Sequence, residues 1–238
     1  MRNYFVFAGK SSHDFGIHIS GEATFNRPKR RFEELTIPGR SGTLILDDGS
    51  FENMPITYPA FVIDEMPDKV KDFANFMGSF SGYQRLEDSY ADDIFRLAQY
   101  KGGLDNISSK NYANRDGEFT IEFNCKPQRF LKSGEIPIVF DSDGQIWNRT
   151  NFDSKPFITV YGTGAGSVGI GDYLITIDAI DEFVNIDCEI MDAYKGAVNC
   201  NPNVSFNADE IKVPSGKNGV TFTGDITSVV ITPRYFII

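Results

Sequence analysis

Apolar and polar residues alternate in one clear stretch of this chain with the period of a half-buried strand. It runs from Glu118 to Cys125, where Phe119, Ile121 and Phe123 take every second position. Short runs rich in β-formers also occur at Phe5 to Phe7, Phe15 to Ile19, Glu33 to Ile37, Thr43 to Leu46, Ile56 to Ile63, Tyr83 to Glu87 and Ile94 to Tyr100. Gly, Pro, Asn and Asp punctuate them. The DDGS stretch, Asp47 to Ser50, reads as a hairpin turn, because Asp48-Gly49 accepts positive φ. One segment departs from this pattern. In MPDKVKDFANFMGSF, Val70, Phe73, Ala74, Met77 and Phe80 recur at spacings of three and four, with Pro67 and Asp68 suited to a helix N-terminus. A lone amphipathic helix has to bury its apolar face on a sheet, so residues 1–133 are predicted to form an α+β domain.

From about Ser133 the texture changes, with KPQRFLKSGE reading as a short connection. Candidate strands then follow at Ile136 to Phe140, Pro156 to Tyr161, Tyr173 to Ile177, Phe183 to Ile186, Ala197 to Cys200, Glu210 to Val213, Gly219 to Thr223 and Ser228 to Pro233. Their spacing, without a helix, predicts an all-β sandwich over residues 134–238. Turns at Ser215-Gly216, Asn218-Gly219 and Gly224-Asp225 would make its last part a meander. The fold class is therefore mainly β, with one helix.

Within FITVYGTGAGSVGIGDYLITI, Gly164, Gly166 and Gly169 have the G-x-G-x-x-G spacing of a dinucleotide-binding loop. That loop works only where a strand leads through the glycines into a helix whose N–H groups hold the pyrophosphate. Here the β-branched run Leu174 to Ile177 follows, so the glycines read as a loop between two strands.

Other chemistry is sparse. The net charge is −10 and unevenly divided: residues 1–133 carry 17 Lys+Arg against 19 Asp+Glu, and residues 134–238 carry 6 against 14. Such a balance argues against stable nucleic-acid binding, which needs clustered cations. The one basic cluster, Arg27 to Arg31, reads as a solvated loop between strands, with a nucleic-acid or partner patch as the alternative. Cys125, Cys188 and Cys200 are too scattered for a disulfide framework or a zinc site, and read as reduced thiols. His13 and His18 stand outside any nucleophile elbow or metal-binding helix motif. The acidic pairs Asp47-Asp48, Asp92-Asp93 and Asp181-Glu182 fall in or near predicted turns, and DSDG at Asp141 to Gly144 is only a fragment of a calcium loop. A glycosidase pair needs two carboxylates close in space, which sequence does not show. No catalytic, cofactor or metal site is assigned. The N-terminal MRNYFVFAGKSS lacks a signal-peptide core, and no run of about 18 apolar residues occurs. The expectation is a chain assembled in the cytosol without a membrane span. Two sequons, at Asn106 and Asn148, are expected to be fortuitous.

The segments FVFAGKSSHDFGIHIS and RRFEELTIPGRSGTLILDDGSFENMPITYPAFVID, followed by the amphipathic helix, resemble the N-terminal domain of siphophage distal tail proteins, the Dit family. The most telling part is P-G-R-x-G-x-L with its acidic turn: Pro38, Gly39, Arg40, Gly42 and Leu44, then Asp48, Gly49, Phe51, Glu52, Asn53 and Ile56. IWNRTNFDSKPFITVYGTGAGSVGIG, NIDCEIMDAY and VVITPRYFII are similar to the galectin-like C-terminal domain of the same proteins.

The resemblance implies a structural protein of the virion tail tip and no enzyme: a ring, six copies in the family, assembled in the host cytoplasm from a phage or prophage gene. Such a ring joins the tail tube protein to the tail-associated fibre or lysin protein, with receptor-binding proteins at its side, and DNA passes through it. No cofactor is implied. Pro38, Gly39, Arg40 and Gly42 become the candidate interface loop. The chain has no long insertion, so an added host-binding module is not expected. The alternative is a carbohydrate-binding module, whose sugar-facing aromatics would be drawn from Trp147, Tyr161, Tyr173 and Tyr194.

Overall fold

The structure, a computed structural model, describes residues 3–21, 26–63, 66–111 and 116–238. Strand accounts for 61 % of it, with one α-helix, which makes the protein mainly β. The chain divides into two compact units, Met1–Arg129 with Ile238, and Phe130–Ile237.

The first unit is built on β1 (Phe5–Phe7), β2 (Lys10–Ser11), β3 (Ile17–Ile19), β4 (Arg30–Thr36), β5 (Thr43–Phe51), β6 (Met54–Val62), helix α1 (Met66–Gly78), β7 (Gln84–Asp88), β8 (Ala91–Tyr100), β9 (Asp105–Asn111) and β10 (Asp116–Leu131). Its main sheet has the order β2-β1-β7-β8-β10-β6-β3, with β9 also paired to β10. The alternation read from sequence is visible in the pairing of β6 with β10. Met54, Ile56, Tyr58, Ala60 and Val62 face the core from one strand, and Phe119, Ile121, Phe123 and Cys125 from the other. Helix α1 buries Val70, Phe73 and Met77 on this face, with the Phe73 ring 6.1 Å from Phe5 and 5.7 Å from Phe15. Phe80 differs from expectation. It lies beyond the helix end and is partly exposed, since the helix stops at Gly78. Residues 126–131, read as a connection, continue β10.

The second unit holds β11 (Ile138–Phe140), β12 (Gly144–Asn148), β13 (Phe157–Ile170), β14 (Tyr173–Asp187), β15 (Asp192–Lys195), β16 (Val198–Asn199), β17 (Val204–Phe206), β18 (Gly216–Thr232) and β19 (Phe236–Ile237). The order is β11-β18-β13-β14-β15-β16, with β12 on the other half of β18 and β17 on the other half of β14. The long strands β13, β14 and β18 are each shared between two half-sheets. Val168, Ile175 and Val220 from one half and Val160, Val184 and Val229 from the other belong to a single buried cluster. Three bent strands thus enclose one core.

Three expectations are corrected here. The glycine stretch is not a loop: residues 157–170 are one strand, with a bulge between Gly164 and Gly166. A Cβ on Gly162 would lie 2.4 Å from the Asp225 carbonyl oxygen, and one on Gly166 would lie 2.5 Å from that of Thr223. The glycines let β13 and β18 approach at their common bend. Second, the predicted turns at Asn218-Gly219 and Gly224-Asp225 lie inside β18, and Asp181-Glu182 lies inside β14, so the end of the chain is one strand inserted beside β13, not a meander. Bulges use the residue types of turns, which is why composition misplaced them. Third, Glu210 to Val213 makes only an isolated bridge, Ser154 to Val213.

Candidate functional site

Strands β4 and β5 form a sheet of their own, a two-stranded ribbon. Phe32 opposes Asp47, Glu33 opposes Leu46, Glu34 opposes Ile45 and Leu35 opposes Leu44. Directly opposed residues share a face. Glu33, Leu35, Leu44 and Leu46 therefore lie on one side, and Phe32, Glu34, Ile45 and Asp47 on the other. Neither side is covered: Phe32 is 53 % exposed, Ile45 59 % and Leu46 46 %. A lone ribbon is marginal in water, and this one exposes aliphatic side chains on both faces. At its base, Arg30 pairs with Asp47 and lies 5.4 Å from the Phe51 ring centre.

All four residues of the candidate interface loop stand together at the ribbon's tip. The Arg40 N–H donates to the Ile37 carbonyl at 3.2 Å, closing the turn. Gly39 and Gly42 have φ of +79° and +83°, and a Cβ on either would meet nothing within 4 Å, so these glycines serve backbone angle and not close packing. Arg40 is exposed and makes no ion pair among the described residues. This loop, and not DDGS, turns the hairpin. DDGS lies inside β5 as a bulge: the register shifts between Arg30 and Phe32, and Gly49 has φ +78°. The Ser50 N–H donates to Asp48 Oδ1 at 2.8 Å.

The four aromatics singled out from sequence do not share one face. Trp147, on β12, is half exposed, with the Arg149 guanidinium 4.1 Å and the Lys217 ammonium 5.5 Å from its ring centre. Tyr161 opposes Phe183, and Tyr194 opposes Asn185, so these two tyrosines point outward on β13 and β15, over the other half-sheet. Tyr173 packs against the core.

Several titratable groups are engaged structurally. His13 and His18 have rings 4.7 Å apart, on a single 3-10 turn (Ser12–Phe15) and on β3. Asp181 and Glu182 both hold Lys195. Asn148 of one sequon is buried, its amide donating to the carbonyls of Phe152 and Val213, with the Thr150 hydroxyl donating back to its oxygen. That Asn-x-Thr spacing serves a local fold. Sequence reasoning missed one buried polar cluster: Asp88 accepts from the Tyr58 hydroxyl at 2.7 Å, from Arg96 Nη1 at 3.0 Å and from the backbone N–H groups of Tyr90 and Ala91. Burial and the Asp88 charge raise the Tyr58 phenol well above its ordinary value. Asp88 ends β7 and caps the turn into β8, so an Asp before a strand start was its only signal. Among the described residues, no three His, Cys, Asp or Glu side chains group as a metal site, and no helix is long and apolar enough to cross a membrane.

No protein-family model and no curated protein matches the sequence. Solved structures do match. The Dit protein of phage SPP1, described as a paradigm of the hub adsorption apparatus in phages infecting Gram-positive bacteria, superposes with a TM-score of 0.78 over 100 % of both chains at 11 % identity. A chain of the phage P2 baseplate, in its activated conformation with calcium, superposes with a TM-score of 0.51 at 10 % identity, covering 97 % of each chain. The same baseplate with strontium gives 0.52 at 10 % identity, covering 97 % of this chain and 98 % of that one. The protein therefore has the fold of a Dit-like distal tail protein, with both units included.

Proposed function

We propose that a chain with this fold serves as the ring-forming hub of a siphophage distal tail, a structural component of the tail tip and not an enzyme. The observation that carries this reading is the end-to-end likeness to the SPP1 hub protein. The bare β4–β5 ribbon supports it, because a closed ring of identical subunits needs a surface that a neighbour covers. In this reading each ribbon lies on the next copy, with Arg40 at its tip bridging an acidic group there. Six copies close the ring. The tail tube protein docks above, the tail-associated fibre or lysin protein below, and receptor-binding proteins at the side. The chain's charge of −10 suits a DNA conduit, since phosphates do not adhere to an acidic lumen.

The test is the mass of the purified protein by light scattering, with negative-stain imaging of the largest species. Six chains of 26.6 kDa make about 160 kDa, and a closed ring of that mass is expected. A monomer at every concentration, alone and with the tail tube protein added, would overturn the ring. A ring whose lumen is basic would overturn the conduit.

A further inference from the structure

Residues 134–238 hold only six Lys and Arg among 14 Asp and Glu. Four of the six are committed to carboxylates: Lys155 and Lys212 to Glu210, each at 2.7 Å, Lys195 to Asp181 at 2.9 Å, and Arg234 to Asp187 at 2.6 Å. The other two, Arg149 and Lys217, make no ion pair among the described residues, and both converge on Trp147. Two cations without a carboxylate partner thus flank one half-exposed indole in an acidic stretch.

These two cations are held in place from below. Arg149 stands between buried Asn148, whose amide donates to the Phe152 and Val213 carbonyls, and buried Thr150, whose N–H donates to Asn148 Oδ1. Lys217 precedes buried Asn218, whose amide donates to the Pro214 and Gly216 carbonyls. The cations' backbones are thus fixed, while their head groups rest on the indole without a carboxylate partner. Trp147 and Lys217 oppose one another across β12 and β18, so they share the outer face. The next outward pair is Gln145 and Gly219. A Cβ on Gly219 would meet nothing within 4 Å, which leaves open floor beside the indole and the Gln145 amide.

We infer that this face of the second unit binds a saccharide bearing an anionic substituent, a phosphate or a carboxylate. The exposed part of the indole takes the C–H face of the sugar ring. Arg149 and Lys217 pair with the anionic group through charge-assisted hydrogen bonds. Gln145 supplies an amide donor and acceptor for hydroxyls. A nucleic acid is disfavoured, since two cations in a chain of charge −10 do not offset a polyphosphate. The assignment concerns one unit of one chain and stands apart from ring formation.

Trp147 is the only tryptophan in the chain, so its fluorescence reports this site alone. The intact protein is titrated through the millimolar range with glucose 6-phosphate and with galacturonate, with glucose and inorganic phosphate as controls. The expected result is a saturable change with one or both acidic sugars at lower concentration than with either control. Whichever acidic sugar binds tells phosphate from carboxylate. Arg149→Gln and Lys217→Gln, checked for folding by circular dichroism, should each weaken that binding about tenfold. No saturable change, an equal response to inorganic phosphate or to glucose, or unchanged binding in both folded variants would overturn the assignment.

Discussion

Replacing Gly162 or Gly169 with alanine tests whether the glycines of β13 serve strand packing. At Gly162 the new Cβ would lie 2.4 Å from the Asp225 carbonyl oxygen and 3.0 Å from Ile226 Cα, both backbone atoms of β18. Relief requires the two strands to part. Overpacking of this kind costs about 1–3 kcal/mol, and one or two weakened ladder hydrogen bonds add about 1 kcal/mol each. Reduced freedom of the unfolded chain returns roughly 0.4–1 kcal/mol. The net expectation is a loss of about 3 kcal/mol. At Gly169 the nearest atom is the Thr221 hydroxyl oxygen at 2.6 Å, and the next atoms lie at 3.9 Å. A hydroxyl can rotate away, so Gly169→Ala should be close to neutral. Urea unfolding followed by Trp147 fluorescence reads the second unit directly, because that residue lies on β12. If Gly162→Ala falls within about 1 kcal/mol of Gly169→Ala, the close approach of β13 and β18 is not what selects glycine there.

In the first unit, Asp88→Ala would leave the buried Arg96 guanidinium without its carboxylate and should cost about 3–5 kcal/mol by scanning calorimetry, more than Asp88→Asn, which keeps an acceptor. The raised Tyr58 phenol keeps its proton in the folded state after the unfolded state has released its own. Its contribution is therefore full below the ordinary phenol value and lost as pH rises above it, so the urea midpoint should fall in alkali, less steeply in Tyr58→Phe. Burial pushes the Cys125 and Cys188 thiols up to about 12; iodoacetamide at neutral pH should label Cys200 in the native protein and the other two only in denaturant, as read by mass spectrometry. Phe32→Glu combined with Ile45→Glu should leave the fold intact by circular dichroism and abolish the ring by sedimentation, with Arg40→Ala a weaker version; an unchanged ring would remove the ribbon from the interface.

The sequence was most legible where a single physical rule acts alone. Alternation set the buried face of β10, and the three-and-four spacing set α1, because each reflects burial on one side only. It was least legible where a strand bends. Asp48-Gly49 in β5, Gly164 to Gly166 in β13, Asp181-Glu182 in β14 and Gly224-Asp225 in β18 all carry turn chemistry inside a continuous strand. A positive φ is needed at a bulge as at a hairpin, and what separates the two is the partner strand, which composition does not contain. The Asp88 cluster was hidden for a related reason. Its members, Tyr58, Asp88 and Arg96, come from three strands, and no local pattern links them.

The ribbon shows how a local pattern can point beyond one chain. Leu44, Ile45 and Leu46 are three consecutive apolar residues, and in a strand consecutive residues face opposite sides. Such a run is expected where a strand is covered on both faces. Among the described residues nothing in this chain covers either face of β4–β5, while the strands that follow it in sequence, β6 and β10, are packed in the ordinary way. Glu33, Glu34 and Asp47 interleave with the aliphatics, which favours solubility of the exposed ribbon. Arg40 at its tip makes no ion pair among the described residues, and a Cβ on Gly39 or Gly42 would meet nothing within 4 Å. A segment whose sequence calls for two covered faces, and whose fold provides none among the described residues, is what the proposed ring would cover.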